Sequence, residues 1–284
     1  MLEAAFKSRP FAMIAQRAVR SYLFVPANRP ERFVKAQAAG ADAVILDLED
    51  AVSMDAKDVA RQHLADYLAS GGTGIVRING IDTSWGGDDL RLCALPGVQA
   101  VVLPKTNCAD DIAAVRARLP ASVPLLPLIE TARGLVNANA IAAAEGVARL
   151  VFGTVDLRTE LGIDGDETEL LAFRSMLVLA SALASIQPPV DGVTLEIGQA
   201  DALQAACVRS RRLGFGAKLC IHPSQVSIVN QAFSPSVAEL EWARRVVEQA
   251  KSSPGAFQLD GKMVDAPVIQ RAEQLLRRSG DAVL

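Results

Sequence analysis

Ala43-Val44-Ile45-Leu46-Asp47-Leu48-Glu49-Asp50 sets the pattern of the chain: an unbroken apolar run closed by acidic residues. Apolar residues without alternation read as a strand buried on both faces, the condition of strands in a parallel sheet. Val101-Val102-Leu103, closed by Pro104-Lys105, repeats it. Working outward, short β-branched runs at 21–26, 43–48, 74–79, 99–104, 124–130, 149–156, 190–196 and 216–222 alternate with Ala/Leu-rich helical stretches. Strands alternating with helices predict βα units and a parallel sheet. Eight units within roughly 200–250 residues predict an α/β chain folded as a closed (β/α)8 TIM barrel. An open doubly wound sheet is the alternative. Pro26-Ala27-Asn28-Arg29-Pro30, after the first strand, lacks the glycine fingerprint such a sheet usually carries there.

Half of the 284 residues are hydrophobic and 21% are charged, which supplies a large core. Lys and Arg number 29 against 32 Asp and Glu, a formal net charge of −3. That near-balance argues against nucleic acid as a partner and against an anionic membrane surface. No apolar run approaches the roughly 18 residues of a membrane-spanning helix. Cys93, Cys108, Cys207 and Cys220 are scattered and form no CxxC pair, so they read as reduced thiols of a cytoplasmic protein. Residues 1–19, with Lys7, Arg9 and Arg17 against Glu3, read as an N-terminal arm rather than a targeting presequence. The barrel is assigned to 20–232 and a C-terminal helical extension to 233–284, hinged at Ser252-Ser253-Pro254-Gly255. Asn28 with Glu31 predicts a capping box, and Gly40 a helix stop. Asn107, followed by Asp110 and Asp111, marks another helix start. The stretch 168–186 is apolar nearly all round, so it is either buried or set at a subunit interface.

Active sites of such barrels lie at the C-terminal ends of the strands. The polar residues closing each run are therefore informative: Asp47, Glu49 and Asp50, then Arg77, Lys105, Glu130, Asp156, Glu196 and His222. Each alone has a plainer reading, as a helix cap, an ion pair or a structural histidine. Together they converge on one end of the barrel, while the strand interiors carry almost no charge. Glu130 and Asp156 close adjacent predicted strands, and two carboxylates without Cys or His suit Mg²⁺ or Mn²⁺ rather than zinc. Arg77 could grip a substrate carboxylate bidentately. A metal beside an arginine describes a site for a small hydroxy or keto acid.

Six stretches in order carry a resemblance: Ser21-Tyr22-Leu23-Phe24-Val25-Pro26, Leu46-Asp47-Leu48-Glu49-Asp50-Ala51-Val52, Val76-Arg77-Ile78-Asn79, Leu103-Pro104-Lys105, Leu128-Ile129-Glu130-Thr131-Ala132 and Gly216-Ala217-Lys218-Leu219-Cys220-Ile221-His222-Pro223. From Arg20 to about Arg277 the chain resembles the citrate lyase beta subunit-like proteins of the HpcH/HpaI aldolase superfamily, which also holds malyl-CoA and citramalyl-CoA lyases. The resemblance implies a homotrimer or homohexamer, Mg²⁺ held by Glu130 and Asp156, and Arg77 on the substrate carboxylate. It implies that Asp265, in Asp260-Gly261-Lys262-Met263-Val264-Asp265-Ala266-Pro267, reaches a neighbouring subunit's site as acid/base. The reaction implied is reversible carbon–carbon cleavage of a CoA thioester to a 2-keto acid and acetyl-CoA. Asp47 and Glu49 would orient metal-bound waters or Lys105, with Lys105 toward the substrate. Arg20 is a candidate for CoA contact, and a structural ion pair is its alternative. A thioester hydrolase on the same scaffold, or the citryl-acyl-carrier beta subunit of a citrate lyase complex, stays open. Ala27, Arg158 and Glu160-Leu161-Gly162 depart from the family's usual residues beside Asp156.

Overall fold

The computed structural model describes residues 19–253 and 255–279; residues 1–18 of the expected arm lie outside them. The chain divides into two compact units, Val19–Phe233 and the residues from Ser234 onward. In the first unit eight parallel strands pair in sequence order and close, with β1 beside β8. They are β1 (Ser21–Pro26), β2 (Ala43–Asp47), β3 (Gly74–Arg77), β4 (Val98–Leu103), β5 (Leu125–Ile129), β6 (Arg149–Phe152), β7 (Gln187–Asp191) and β8 (Ala217–Cys220). Between and after them run α1 (Phe33–Gln37), α2 (Lys57–Ala69), α3 (Gly86–Leu92), α4 (Ala109–Arg116), α5 (Ala132–Val136), α6 (Ala138–Ala143), α7 (Thr154–Leu161), α8 (Leu171–Leu183), α9 (Ala200–Leu213) and α10 (Pro223–Phe233). This is the (β/α)8 barrel.

Period-two alternation sorts each strand into two buried faces. Tyr22, Ile45, Ile75, Val102, Leu128, Val190 and Leu219 belong to one cluster, the barrel interior. Their neighbours Leu23, Leu46, Val76, Val101 and Ile129 pack with the helices in a second. The same alternation carries Asp47, Arg77 and Glu130, two residues beyond Ile45, Ile75 and Leu128, inward at the C-terminal mouth.

Several boundaries differ from the sequence reading. Strand β6 stops at Phe152, and Asp156 stands in the first turn of α7 rather than at a strand end. Strand β7 begins at Gln187 and ends at Asp191, so Glu196 lies in an exposed loop. Pro188 and Pro189 lack amide donors, which hides the first half of this strand in the sequence. No side chain caps the turn at Pro30, and Glu31 pairs with Arg29 instead. Cys108, one residue after Asn107, caps α4 in a capping box with Asp111. Gly40, at φ +78°, does supply the left-handed stop. The strands also hold more charge than the reading allowed. Arg149 fills the base of the barrel, donating to the carbonyls of Val19 and Pro188. Lys218 and Asp191 face the helices, where Asp191 accepts from Arg174 (3.0 Å), Lys218 (3.3 Å) and the Ser210 hydroxyl. Arg20 immediately precedes β1, at the barrel end opposite the mouth, and its guanidinium is bound to Asp42 at 2.8 Å. This is the ion pair named as the alternative to a CoA contact.

In the second unit α11 (Val237–Ser252) and α12 (Ala266–Ser279) flank a hairpin of β9 (Phe257–Leu259) and β10 (Lys262–Val264). Its turn, Asp260-Gly261, has φ of +51° and +74°, the paired positive values of a type I′ hairpin. Ala243, Val246, Val264, Ala272, Leu275 and Leu276 form the unit's core. Because α11 and α12 share that core, the loop after Ser252 lies within the unit and is not its hinge; the chain divides at Phe233–Ser234. Among the described residues no helix is long and apolar enough to cross a membrane. Their four cysteines are free, three of them buried, and burial pushes the thiols of Cys207 and Cys220 up to about 11 and about 12.

Burial alone would raise the Asp191 carboxyl, but Lys218, Arg174 and Ser210 outweigh it and hold it down to about 2. A carboxylate depressed in the folded state contributes stability above its ordinary value of 3.8, and that contribution is lost as pH falls through about 2. Asp191→Asn, which leaves Lys218 buried without its anion and Arg174 with Asp166 alone, should cost about 3–5 kcal/mol in urea unfolding at pH 7. A loss below about 1 kcal/mol would show that the cluster is not a stabilising network.

Candidate active site

The C-terminal mouth of the barrel holds a cavity of about 200 Å³ lined by Phe24, Asp47, Arg77, Leu128, Glu130 and the stretch Phe152-Gly153-Thr154-Val155-Asp156, among others. Arg77 occupies its side wall. Its Nε and Nη2 donate to the two oxygens of Asp47 at 2.7 and 2.6 Å, and Nη1 lies 2.9 Å from Glu49 Oε2. The Phe24 ring lies 4.8 Å from the guanidinium carbon. The bidentate grip read from the sequence for a substrate carboxylate is therefore taken by Asp47. Burial opposes the charge of Arg77, yet Asp47, Glu49 and Glu130 keep it cationic.

Glu49 ties this wall to the next. Its Oε1 accepts from Lys105 Nζ at 2.9 Å. Lys105 follows β4 with φ +47°, in the left-handed region that costs a lysine roughly 1–2 kcal/mol. That conformation aims its amide at Glu130 Oε1, 2.7 Å away. Asp47, Arg77, Glu49, Lys105 and Glu130 thus form one connected chain of charges. Glu130 is 2% exposed. Burial, with repulsion from Glu49 and Asp156, raises its carboxyl to about 8 against the pull of the Lys105 amide and Arg77. Glycine at 153 makes room for it: a Cβ there would stand 2.4 Å from Glu130 Cβ.

Asp156 lines the same cavity from the first turn of α7. That helix has Gly153 at its N-cap and no side-chain cap, and its first turn lines the cavity. A helix N-terminus attracts anions, and sequence reasoning missed this one because Gly153-Thr154 was assigned to a strand. The departures beside it fold back on the scaffold: Glu160 accepts from the Ala132 amide at 3.0 Å, and Arg158 donates to the carbonyls of Ile163 and Asp164. His222 is exposed and bonded to Ser224 at 2.7 Å, a capping role at the start of α10. Asp265 belongs to the second unit, directly after β10, where its Oδ1 accepts from Val268 N at 3.4 Å.

The donor set fits a divalent cation. Asp47, Glu49, Asp50, Glu130 and Asp156 bring more carboxyl groups than the two bases Arg77 and Lys105 can neutralise, and the raised pKa of Glu130 answers to that excess. Among the described residues no three of His, Cys, Asp and Glu are gathered closely enough to hold a metal alone. A cation between Glu130 and Asp156 would complete its shell with water and substrate oxygens, as magnesium commonly does.

Residues 20–223 match the model of the HpcH/HpaI aldolase/citrate lyase family. The chain belongs to this family. It is an enzyme, of the lyase class for which the family is named. A citrate lyase subunit beta-like protein of Mycobacterium tuberculosis is 39% identical over 267 residues, covering 92% of this chain and 96% of its own. A (3S)-malyl-CoA thioesterase of Cereibacter sphaeroides is 39% identical over 269 residues, covering 92% and 94%. Among solved structures, CitE from M. tuberculosis in complex with magnesium, acetoacetate and coenzyme A superposes with a TM-score of 0.81 at 38% identity, over 94% of this chain and all of that one.

A buried acid with a raised pKa stabilises the metal-free fold fully below its ordinary value of 4.5 and loses that contribution as pH rises to about 8. Metal-free protein should therefore lose stability between those limits, and Glu130→Gln should flatten the loss. Urea titrations at intervals across this range check it; identical profiles for the two proteins would contradict the assignment.

Proposed function

We propose that the chain is a divalent-metal-dependent carbon–carbon lyase. It cleaves or forms a 3-hydroxyacyl-CoA such as malyl-CoA or citramalyl-CoA, yielding a 2-keto acid and acetyl-CoA. The observation that carries this reading is the excess of carboxylate at the cavity, with Glu130 buried and held well above its ordinary pKa. Such a pair calls for a cation, and the cavity suits a small acid. Magnesium in the superposed CitE structure supports the choice, and Mn²⁺ has the same ligand preference.

Glu130 and Asp156 would hold the metal. When bound, it supplies Lewis acidity toward a hydroxyl oxygen and the carboxylate beside it. The first-turn amides of α7 receive the substrate carboxylate, and Arg77, which keeps N–H donors to spare, adds positive charge beside it. Glu49 ties Lys105 to Arg77, which lines the cavity. The bond broken joins the hydroxyl-bearing carbon to the carbon alpha to the thioester. As that bond breaks its electron pair passes to the latter carbon, while the hydroxyl gives up its proton to water and its oxygen closes to the keto C=O. Asp265, from a neighbouring subunit of a cytoplasmic homotrimer or homohexamer, returns a proton to that carbon in cleavage and removes one in condensation.

A second reading has its own support. The thioesterase of C. sphaeroides is as similar as the lyase-like relative, so hydrolysis of the thioester on the same scaffold is the competing outcome. Incubating the purified chain with malyl-CoA and Mg²⁺ separates them. The lyase gives glyoxylate and acetyl-CoA; free malate and CoA without glyoxylate would replace the lyase reading with the hydrolase. Asp265→Asn should lower kcat by about 10²–10⁴-fold while leaving Mg²⁺ binding intact. Wild-type kcat in that variant would remove Asp265 from the mechanism.

A further inference from the structure

We infer that Lys57 is a positioning residue for this site, an ammonium behind the β2 loop that holds Glu49 against Arg77 and Lys105. The inference deepens the proposed function and takes the purpose of the site from it. Lys57 opens α2 and is 6% exposed. Its Nζ donates to the carbonyls of Leu48 at 2.8 Å and Glu49 at 2.7 Å, and lies 5.7 Å from the centroid of the Trp85 ring. Neither hydrogen-bond partner carries a charge. The placement is unfavourable on two counts. Burial penalises an ammonium and lowers its pKa, although Asp47, Glu49, Asp50 and Asp89 pull the other way. The first residue of a helix is also the positive end of its dipole. Neither packing nor helix propensity accounts for a cation there; the two carbonyls it gathers do.

Those carbonyls belong to the loop whose side chain joins the two bases of the site. The Leu48 amide donates to Arg77 O and the Glu49 amide to Asp47 Oδ1, both at 2.9 Å. On the cavity side Glu49 is held by Arg77 Nη1 and Lys105 Nζ; from behind it is held by Lys57. Without the ammonium, both carbonyls lose a charged donor and the loop can turn. Glu49 then releases Lys105, whose left-handed backbone presents its amide to Glu130. The effect passes from Lys57 through Glu49 and Lys105 to Glu130, although Lys57 does not line the cavity.

Lys57→Met keeps the length of the side chain and removes the donor. In metal-free full-length protein, amide hydrogen exchange at Glu49 and Lys105 should quicken about tenfold or more while the remaining barrel amides hold their rates. Mn²⁺ affinity, read by electron paramagnetic resonance, should fall about 10–100-fold, the usual cost of losing a residue behind a metal ligand. In a Glu49→Gln background, Lys57→Met should add nothing to the loss of Mn²⁺ affinity, because the two act in series. A purely structural lysine would instead quicken exchange throughout the barrel, leave Mn²⁺ affinity unchanged and add to Glu49→Gln; that result overturns the inference. If Lys57→Met does not fold, Lys57→Gln, with one amide donor, goes through the same cycle. Failure of the wild-type chain to bind Mn²⁺ would defeat the proposed function instead, and the exchange rates alone would then decide the role of Lys57.

Discussion

At the mouth of the barrel carboxyl groups outnumber the bases Arg77 and Lys105, with Asp47, Glu49, Glu130 and Arg77 buried, and the rest of the architecture answers to that imbalance. An ionised carboxylate removed from water costs several kcal/mol unless a counter-charge and hydrogen bonds replace the lost solvation. Asp47 obtains both from the fork of Arg77; Glu49 has the charges of Arg77 and Lys105 beside it and a hydrogen bond from Lys105, but its Oε2 is buried without a hydrogen bond and burial raises its pKa. Glu130 obtains one amide and no direct ion pair, and its raised pKa records the shortfall. A cation shared with Asp156 would make up the difference. The proposed chemistry thus uses a site whose charge is left incomplete by its own side chains.

The fold delivers these groups through alternation along the strands. Ile45, Ile75 and Leu128 fill the barrel interior, and the residues two places on emerge at its mouth as Asp47, Arg77 and Glu130. Local devices then refine their aim. Lys105 adopts a left-handed backbone, Gly153 leaves space that a methyl group would take from Glu130, and α7 begins at the cavity without a side-chain cap. A second charged cluster, Asp191 with Arg174, Lys218 and Ser210, is fully enclosed between β7, β8 and their covering helices. There the carboxylate is satisfied by its partners and sits low in pKa. Asp191 and Glu130 thus set a buried carboxylate satisfied by its partners beside one that is not, within a single barrel.

The eight strands were legible because continuous apolar runs punctuated by polar residues encode a parallel barrel directly. The polar ends of those runs named Asp47, Glu49, Arg77, Lys105 and Glu130 as neighbours for the same reason. What escaped the sequence depends on three-dimensional pairing. Arg77 was read as a free clamp, because nothing in Val76-Arg77-Ile78-Asn79 reveals that Asp47 already fills its fork. Arg20 suits a ligand or an ion pair equally in the sequence, because nothing around it reveals that Asp42 stands beside it. Asp156 was placed on a strand because Gly153-Thr154 does not announce a helix start. Lys57 gave no signal, since a lysine opening a helix ordinarily lies in solvent.

The central claim is that Glu130 and Asp156 share one divalent cation at the barrel mouth. Its most direct test is an electron paramagnetic resonance titration of the metal-free protein, Glu130→Gln and Asp156→Asn with Mn²⁺. The account predicts a single site in the wild-type chain that is lost in each variant separately, with Mg²⁺ displacing the bound Mn²⁺. Undiminished binding in either variant would contradict it.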